Sequence, residues 1–219
     1  MGDGFFSGYI ATEFLAMKLS RFAALFLMIG LCPSMPAFAG QLEDGIAAHD
    51  RQDYATAQKL LRPLAEKGGA LAQHKIGFMY SFGQGVQKDP VEAGKWYRKA
   101  ADQGLAKSQN NLGYIYAKGE GVARDDVESA KWYKKSAEQG NAGAQSALSQ
   151  NYAKGAGVAQ NLVEAHKWSD LAASNSLDKF IHDRNIKNRD SLVSSMTPAQ
   201  VAEAQKLARE WKPKQEPSK

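Results

Sequence analysis

The sequence predicts an all-α protein, an α/α solenoid built from stacked helical hairpins. A 36-residue segment is written three times without a gap, beginning at Ala70, Ala106 and Ala142. Inside each copy, apolar and small residues recur at i, i+3, i+4 and i+7 on both sides of a Gly-x-Gly-Val loop, the signature of two amphipathic helices joined by a tight reversal. A unit of that size cannot bury its apolar face alone and buries it against the next copy. The product of such a chain is surface, which favours a binding module over an enzyme.

The first 39 residues stand apart. Lys18 and Arg21 precede an unbroken apolar run over residues 22–31; Pro33, Ser34 and Pro36 then break any helix, and Ala37-Phe38-Ala39 offers a small-x-small cleavage site. This pattern reads as a secretory signal peptide over residues 1–39, cut after Ala39. The apolar run is well short of the roughly 20 residues needed to cross a bilayer, so no permanent membrane span is expected. Met17 would open such a signal by itself, which makes residues 1–16 look like a start placed too early. Cys32 is preceded by Leu31 and not by the small residue that a lipid-anchored cysteine requires, so lipidation is not expected.

Residues 1–39 contain Lys18, Arg21, Asp3 and Glu13, so the remainder keeps the net charge of +5. It keeps no cysteine, and stability must come from packing between copies. A basic balance points to nucleic acid in a cytosolic protein, but export removes that partner, and the lysines and arginines form no dense run. Mixed surface charge is the simpler reading, with acidic protein surfaces and anionic envelope polymers as the partners it would favour.

The middle copy shows the logic of the unit. Gln109, Leu112, Gly113 and Tyr116 form one stripe of a first helix, A, and Gly113 lets a partner helix approach closely. Gly119 ends that helix with a left-handed cap, and Val122 plugs the turn. Asp125 with Glu128 reads as a capping box opening the second helix, B, as do Asp89 with Glu92 and Asn161 with Glu164. Pro90 adds a proline at a first helical position. Along helix B of the first copy, Ala93, Trp96, Tyr97 and Ala100 repeat the stripe. The regular spacing of Trp96, Trp132 and Trp168 marks them as core.

Gly-x-Gly-Val, the capped Asp-x-Val-Glu, Lys-Trp-Tyr and Ala-Ala-Asp-Gln-Gly over residues 100–104 resemble the Sel1-like repeat, a relative of the tetratricopeptide repeat. The resemblance covers residues 70–105, 106–141 and 142–177. Residues 54–69 align with residues 90–105, so residues 40–69 read as a shortened tetratricopeptide-like N-terminal repeat whose first helix, near residues 42–50, lacks the Gly-x-Gly loop. The third copy frays: Tyr97 and Tyr133 become Ser169, and Gln-Gly becomes Asn175-Ser176. Residues 178–211 are therefore expected to be a helical cap. In it Phe180, Ile181, Ile186, Leu192 and Val193 cover the last interface. Thr197 to Gln200 is a capping box opening a helix with Val201, Ala204, Leu207, Ala208 and Trp211 on one face. Residues 212–219 read as a disordered tail.

The resemblance implies a protein-interaction scaffold or regulator, acting for example on an envelope sensor or on envelope assembly machinery, and the signal peptide puts it in the periplasm or outside the cell. Two other classes stay open: a cell-wall hydrolase or β-lactamase-like enzyme, and a direct binder of peptidoglycan or polysaccharide. The enzyme reading rests on Ser176-Leu177-Asp178-Lys179, a Ser-x-x-Lys that lacks its companion motifs; Ser176 is more simply a helix cap. No cofactor is expected, and no metal: His49, His74, His166 and His182 form no ligand spacing and read as surface side chains. The Gly-x-Gly turns follow helices and not strands, which disqualifies them as nucleotide fingerprints.

In tetratricopeptide-like solenoids helix A lines the concave groove. The positions off its packing stripe are His74, Lys75, Phe78 and Phe82, then Asn110, Asn111, Tyr114 and Lys118, then Ser146, Gln150 and Lys154. Aromatics flanked by amide and ammonium donors suit an extended peptide of a partner protein or another carboxylate-bearing ligand.

Overall fold

The computed structural model describes residues 35–214, so the expectations on Met17, the apolar run, Cys32 and residues 215–219 lie outside the described residues. Among the described residues, 42–214 form one compact unit. The described elements are all helical: α1 (Met35–Asp50), α2 (Tyr54–Glu66), α3 (Ala70–Phe82), α4 (Pro90–Asp102), α5 (Ala106–Lys118), α6 (Asp126–Glu138), α7 (Ala142–Lys154), α8 (Leu162–Ser174), α9 (Lys179–Val193) and α10 (Pro198–Glu210). Helices α3, α5 and α7 are the A helices of the three copies, and α4, α6 and α8 the B helices. Each B helix packs on its own A helix and on the next one. Pro36 was expected to break any helix but falls in the first turn of α1, where a missing N–H costs nothing.

Within a repeat, the A helix carries a glycine because the B helix sets an aromatic ring on it. A Cβ at Gly77 would lie 2.9 Å from the Tyr97 ring, and one at Gly113 would lie 2.7 Å from the Tyr133 ring. In the third copy both partners change together, to Ser149 and Ser169. Ser149 donates instead to the Ala165 carbonyl at 2.7 Å, a bond that closes the space the ring has left. The shortened first unit uses the same device, with Gly45 under Leu61 at 2.7 Å. Its A–B turn is only Arg51-Gln52-Asp53, with Gln52 left-handed at φ 65° and Asp53 capping α2.

Side-chain amides at the joints tie the repeats into a ladder. The Gln109 amide donates to the Ala101 carbonyl of the preceding B helix at 3.2 Å, and Gln139 donates to the Gln109 carbonyl oxygen at 2.8 Å and to the Gly104 carbonyl at 2.8 Å. Gln73 and Gln103 repeat this rung one copy earlier. Asn175, which looked like fraying, keeps it in the third copy by donating to Gln145 at 3.0 Å.

The expected reciprocal capping boxes form only by half. Asp89, Asp125 and Asn161 do accept from the backbone N–H three residues on. Their own N–H groups, however, donate to the carbonyls of Tyr80, Tyr116 and Tyr152 on the A helices, so no glutamate is needed there. The freed carboxylates turn along the helix: Glu128 accepts from the Trp132 indole at 2.9 Å and from Lys131 at 3.3 Å, and Glu164 likewise serves Trp168 and Lys167. In the first copy the Trp96 indole has no such partner. Glu128→Ala should therefore cost about 1–2 kcal/mol by orphaning a buried indole, while Glu92→Ala should cost visibly less, as read from urea denaturation of each variant. The Thr197–Gln200 box, by contrast, is complete in both directions.

Beyond the third copy the spacing persists but the partnership does not. Helix α10 begins at 198, again 36 residues after α8 begins at 162, yet α9 and α10 both pack on α8 and make at most marginal contact with each other. With its B partner displaced, α9 leaves Phe180 at 73 % and Val193 at 40 % exposure, against the expectation that these cover the last interface. Ala204 is buried against α8, with Ala208 and Trp211 packed on the third-repeat core. The chain stays fixed past Trp211: the Lys214 backbone N–H donates to the Glu138 carbonyl at 2.7 Å, so residues 212–214 do not belong to a disordered tail.

Candidate functional site

The A helices of the first two full copies bring four of the expected groove residues to one cavity of about 380 Å³. Phe78, Phe82, Asn111 and Tyr114 line it together. Phe78 and Phe82 sit one helical turn apart with ring centroids at 4.4 Å, and Phe82 remains 63 % exposed. Tyr114, 45 % exposed, donates its hydroxyl to Glu120 at 3.2 Å, and the Lys118 ammonium lies 6.0 Å from its ring. The floor is made by Tyr97 and Ile115, with Ser81, Lys88 and Glu120 at the rim. Burial pushes the Tyr97 phenol up, so the floor stays neutral.

Sequence reasoning missed Lys88 and Glu120 because they belong to the loops. The signal was there: between the glycines the three copies read Gln84, Glu120 and Ala156, a variable position in an otherwise repeated loop.

Other expected groove residues lie elsewhere. His74 is buried, its Nδ1 within 2.9 Å of the Ser108 hydroxyl on the next A helix, and so serves the joint between repeats. Ser146 occupies the position of His74 two copies on and is buried as well. Asn110 is half-buried, its amide 3.4 Å from Asn111. Lys75 is turned to Asp50 at 3.4 Å. Gln150 and Lys154 are exposed on the third copy, away from the cavity.

His166 corrects the surface reading a second time. It is 1 % exposed on α8, where Gly94 and Ala130 stand in the earlier copies, and burial pulls its pKa below the ordinary imidazole range. Among the described residues no three His, Cys, Asp or Glu side chains form a metal-holding group. No described helix is long and apolar enough to cross a membrane. At Ser176 the hydroxyl bonds to the Asp178 backbone, while the Lys179 ammonium is held by Asp183 at 2.7 Å, so each member of the Ser-x-x-Lys pair is engaged elsewhere.

Stacked helical hairpins of one repeated design define a helical-repeat protein. The Sel1 repeat model matches residues 70–105, 106–141 and 142–177, and the chain belongs to the Sel1-repeat proteins. Among solved structures it is similar to a Sel1 repeat protein from Oxalobacter formigenes, with 35% identity and a TM-score of 0.63, covering 68% of this chain and 57% of that one. It is also similar to a protective antigen present in uropathogenic Escherichia coli strains displaying an SLR fold, with 25% identity and a TM-score of 0.56, covering 80% of this chain and 45% of that one. The chain thus spans only about half the length of either relative. No curated protein matches it at a significant level. Sel1 repeats are generally protein–protein interaction modules and not catalysts.

Proposed function

We propose that the protein holds an extended segment of a partner protein in the groove formed by its A helices, anchoring one apolar side chain between Phe82 and Tyr114. One observation carries this reading. Two large aromatic side chains stay exposed around a cavity of about 380 Å³ in a chain whose repeated tryptophans, together with Tyr97 and Tyr133, are buried. Exposed apolar area of that kind is costly unless a partner covers it. The rim adds Asn111 as an amide donor and acceptor, and Lys88 and Lys118 against a single Glu120, so carboxylates flanking the anchor are favoured.

The reading of residues 1–39 as an export signal places this activity in the periplasm, with a sensor domain or envelope assembly machinery as the partner. A photocrosslinking residue at position 82 should give a discrete protein adduct in a periplasmic extract, reduced at least tenfold by Tyr114→Ser. The same residue at Lys131 on helix α6 should give none. Equal adducts from both positions would remove the groove from consideration.

A further inference from the structure

The outer side of the repeats contains a slot that recurs three times and is filled in two different ways. Between one B helix and the next unit it is bordered by a tyrosine of the following A helix and, in the second and third slots, by the tryptophan of the following B helix. In the first slot Arg62 donates to the Tyr80 hydroxyl at 3.1 Å. In the second, Arg98 donates to the Tyr116 hydroxyl, its guanidinium lies 4.7 Å from the Trp132 ring centroid, and Glu128 stands 3.8 Å away. Both arginines come from the same position of the preceding B helix.

At the third slot that position is Lys134, which makes no ion pair among the described residues. The Tyr152 hydroxyl has no hydrogen-bond partner among them either. The slot is closed instead from the far end of the chain. Trp211 sets its ring edge against Trp168 at 6.2 Å, and Lys214 bonds Glu138 twice, by its backbone N–H and by its ammonium, each at 2.7 Å. Trp211 has the extended backbone of a bound peptide, φ −68° and ψ 140°. Beside it a cavity of about 340 Å³ remains, bordered by Tyr152, Glu164 and Lys134.

We propose that this third slot is a second docking site, distinct from the groove, whose occupant is an extended segment of a partner protein with a tryptophan followed three residues later by a lysine. Residues 211–214 are its built-in stand-in. Two features support the assignment. In the first two slots the constellation holds an arginine of the preceding B helix, and the strap shows which chemistry the third one holds in its place. A tethered strap competes at an effective concentration of about millimolar, so the closed form dominates until a partner of matching chemistry displaces it.

The test uses the full chain and a labelled peptide with the sequence of residues 209–214. With Trp211→Ala/Lys214→Ala, the peptide should bind at a midpoint at least tenfold lower than with the native chain, read by fluorescence anisotropy. Adding Lys134→Arg, which restores the slot's own guanidinium, should abolish that binding. Equal titration of native and variant chains, or no effect of Lys134→Arg, would overturn the proposal. A readout independent of the double variant is the Trp211 indole resonance in an otherwise native Lys134→Arg chain: it should move to its unfolded position, and an unmoved signal also overturns the idea. A native dimer at high concentration that Lys134→Arg dissolves would assign the slot to a second copy and overturn the partner reading.

Discussion

Gly121→Ala should destabilise the protein by about 3 kcal/mol or more, while Gly119→Ala, two residues away in the same loop, should cost about 1–2 kcal/mol. Both glycines have positive φ, 75° and 72°, and an alanine there carries the left-handed penalty of about 1–2 kcal/mol. The difference lies in what surrounds them. A Cβ at Gly119 would meet its nearest neighbour at 3.3 Å within its own loop, but one at Gly121 would lie 2.6 Å from the Pro90 carbonyl carbon and 2.7 Å from the Val91 nitrogen. Those are backbone atoms of the first turn of the preceding B helix and cannot rotate away. Overpacking of this kind adds about 1–3 kcal/mol. Gly85 stands in the same relation to Tyr54, at 2.7 Å, and Gly157 to Asp126. Urea denaturation of the two single variants checks the ordering, and equal midpoints would show that the loop does not bear on the preceding repeat.

The native protein should lose about 3 kcal/mol more stability than a His74→Gln variant when the pH is lowered from 7 to 4. Burial, together with the Lys107 and Lys75 ammonium groups, holds the His74 pKa down from 6.5 to about 4. The folded state therefore binds its proton later than the unfolded state does. Above 6.5 both states hold the neutral ring and the stability is complete; it declines as the pH falls from 6.5 toward 4, where the folded ring finally charges. A difference of about 2.5 pKa steps corresponds to about 3 kcal/mol. His166, also depressed, and the carboxylates titrate alike in both chains and cancel from the comparison. Denaturation midpoints at several pH values give the measurement, and parallel profiles would mean that His74 is not held in its buried place in solution.

What could be read in advance, and what could not, divides along the reach of each interaction. The Gly-x-Gly loops, the two helices per copy and the tryptophan core all follow from spacing within 36 residues, and each appears where the periodicity places it. The first glycine's role as a left-handed cap was legible because it concerns only its own helix. The second glycine's role was not, since the atoms it must clear belong to the preceding copy. The same blindness affected Glu128, whose capping duty is taken over by the Tyr116 carbonyl on another helix, and His74, whose partner Ser108 is 34 residues away. In the groove, Phe78, Phe82, Asn111 and Tyr114 were found because helical periodicity fixes a face. Lys88 and Glu120 reach the same cavity from loops, where no period applies.

The 36-residue spacing that continues into α10, and the strap that follows it, bear on how such a chain could lengthen over evolutionary time. Among the described residues, the C-terminal strap packs on the last two copies, at Glu138, Gly140, Trp168 and the core around Tyr133 and Leu148, and the shortened first unit meets the copy beginning at Ala70. Tandem duplication of residues 106–141 would therefore leave both ends with the neighbours they have now. The gene is free to grow from the middle, one reading-frame-preserving unit at a time, with neither terminus having to be reinvented.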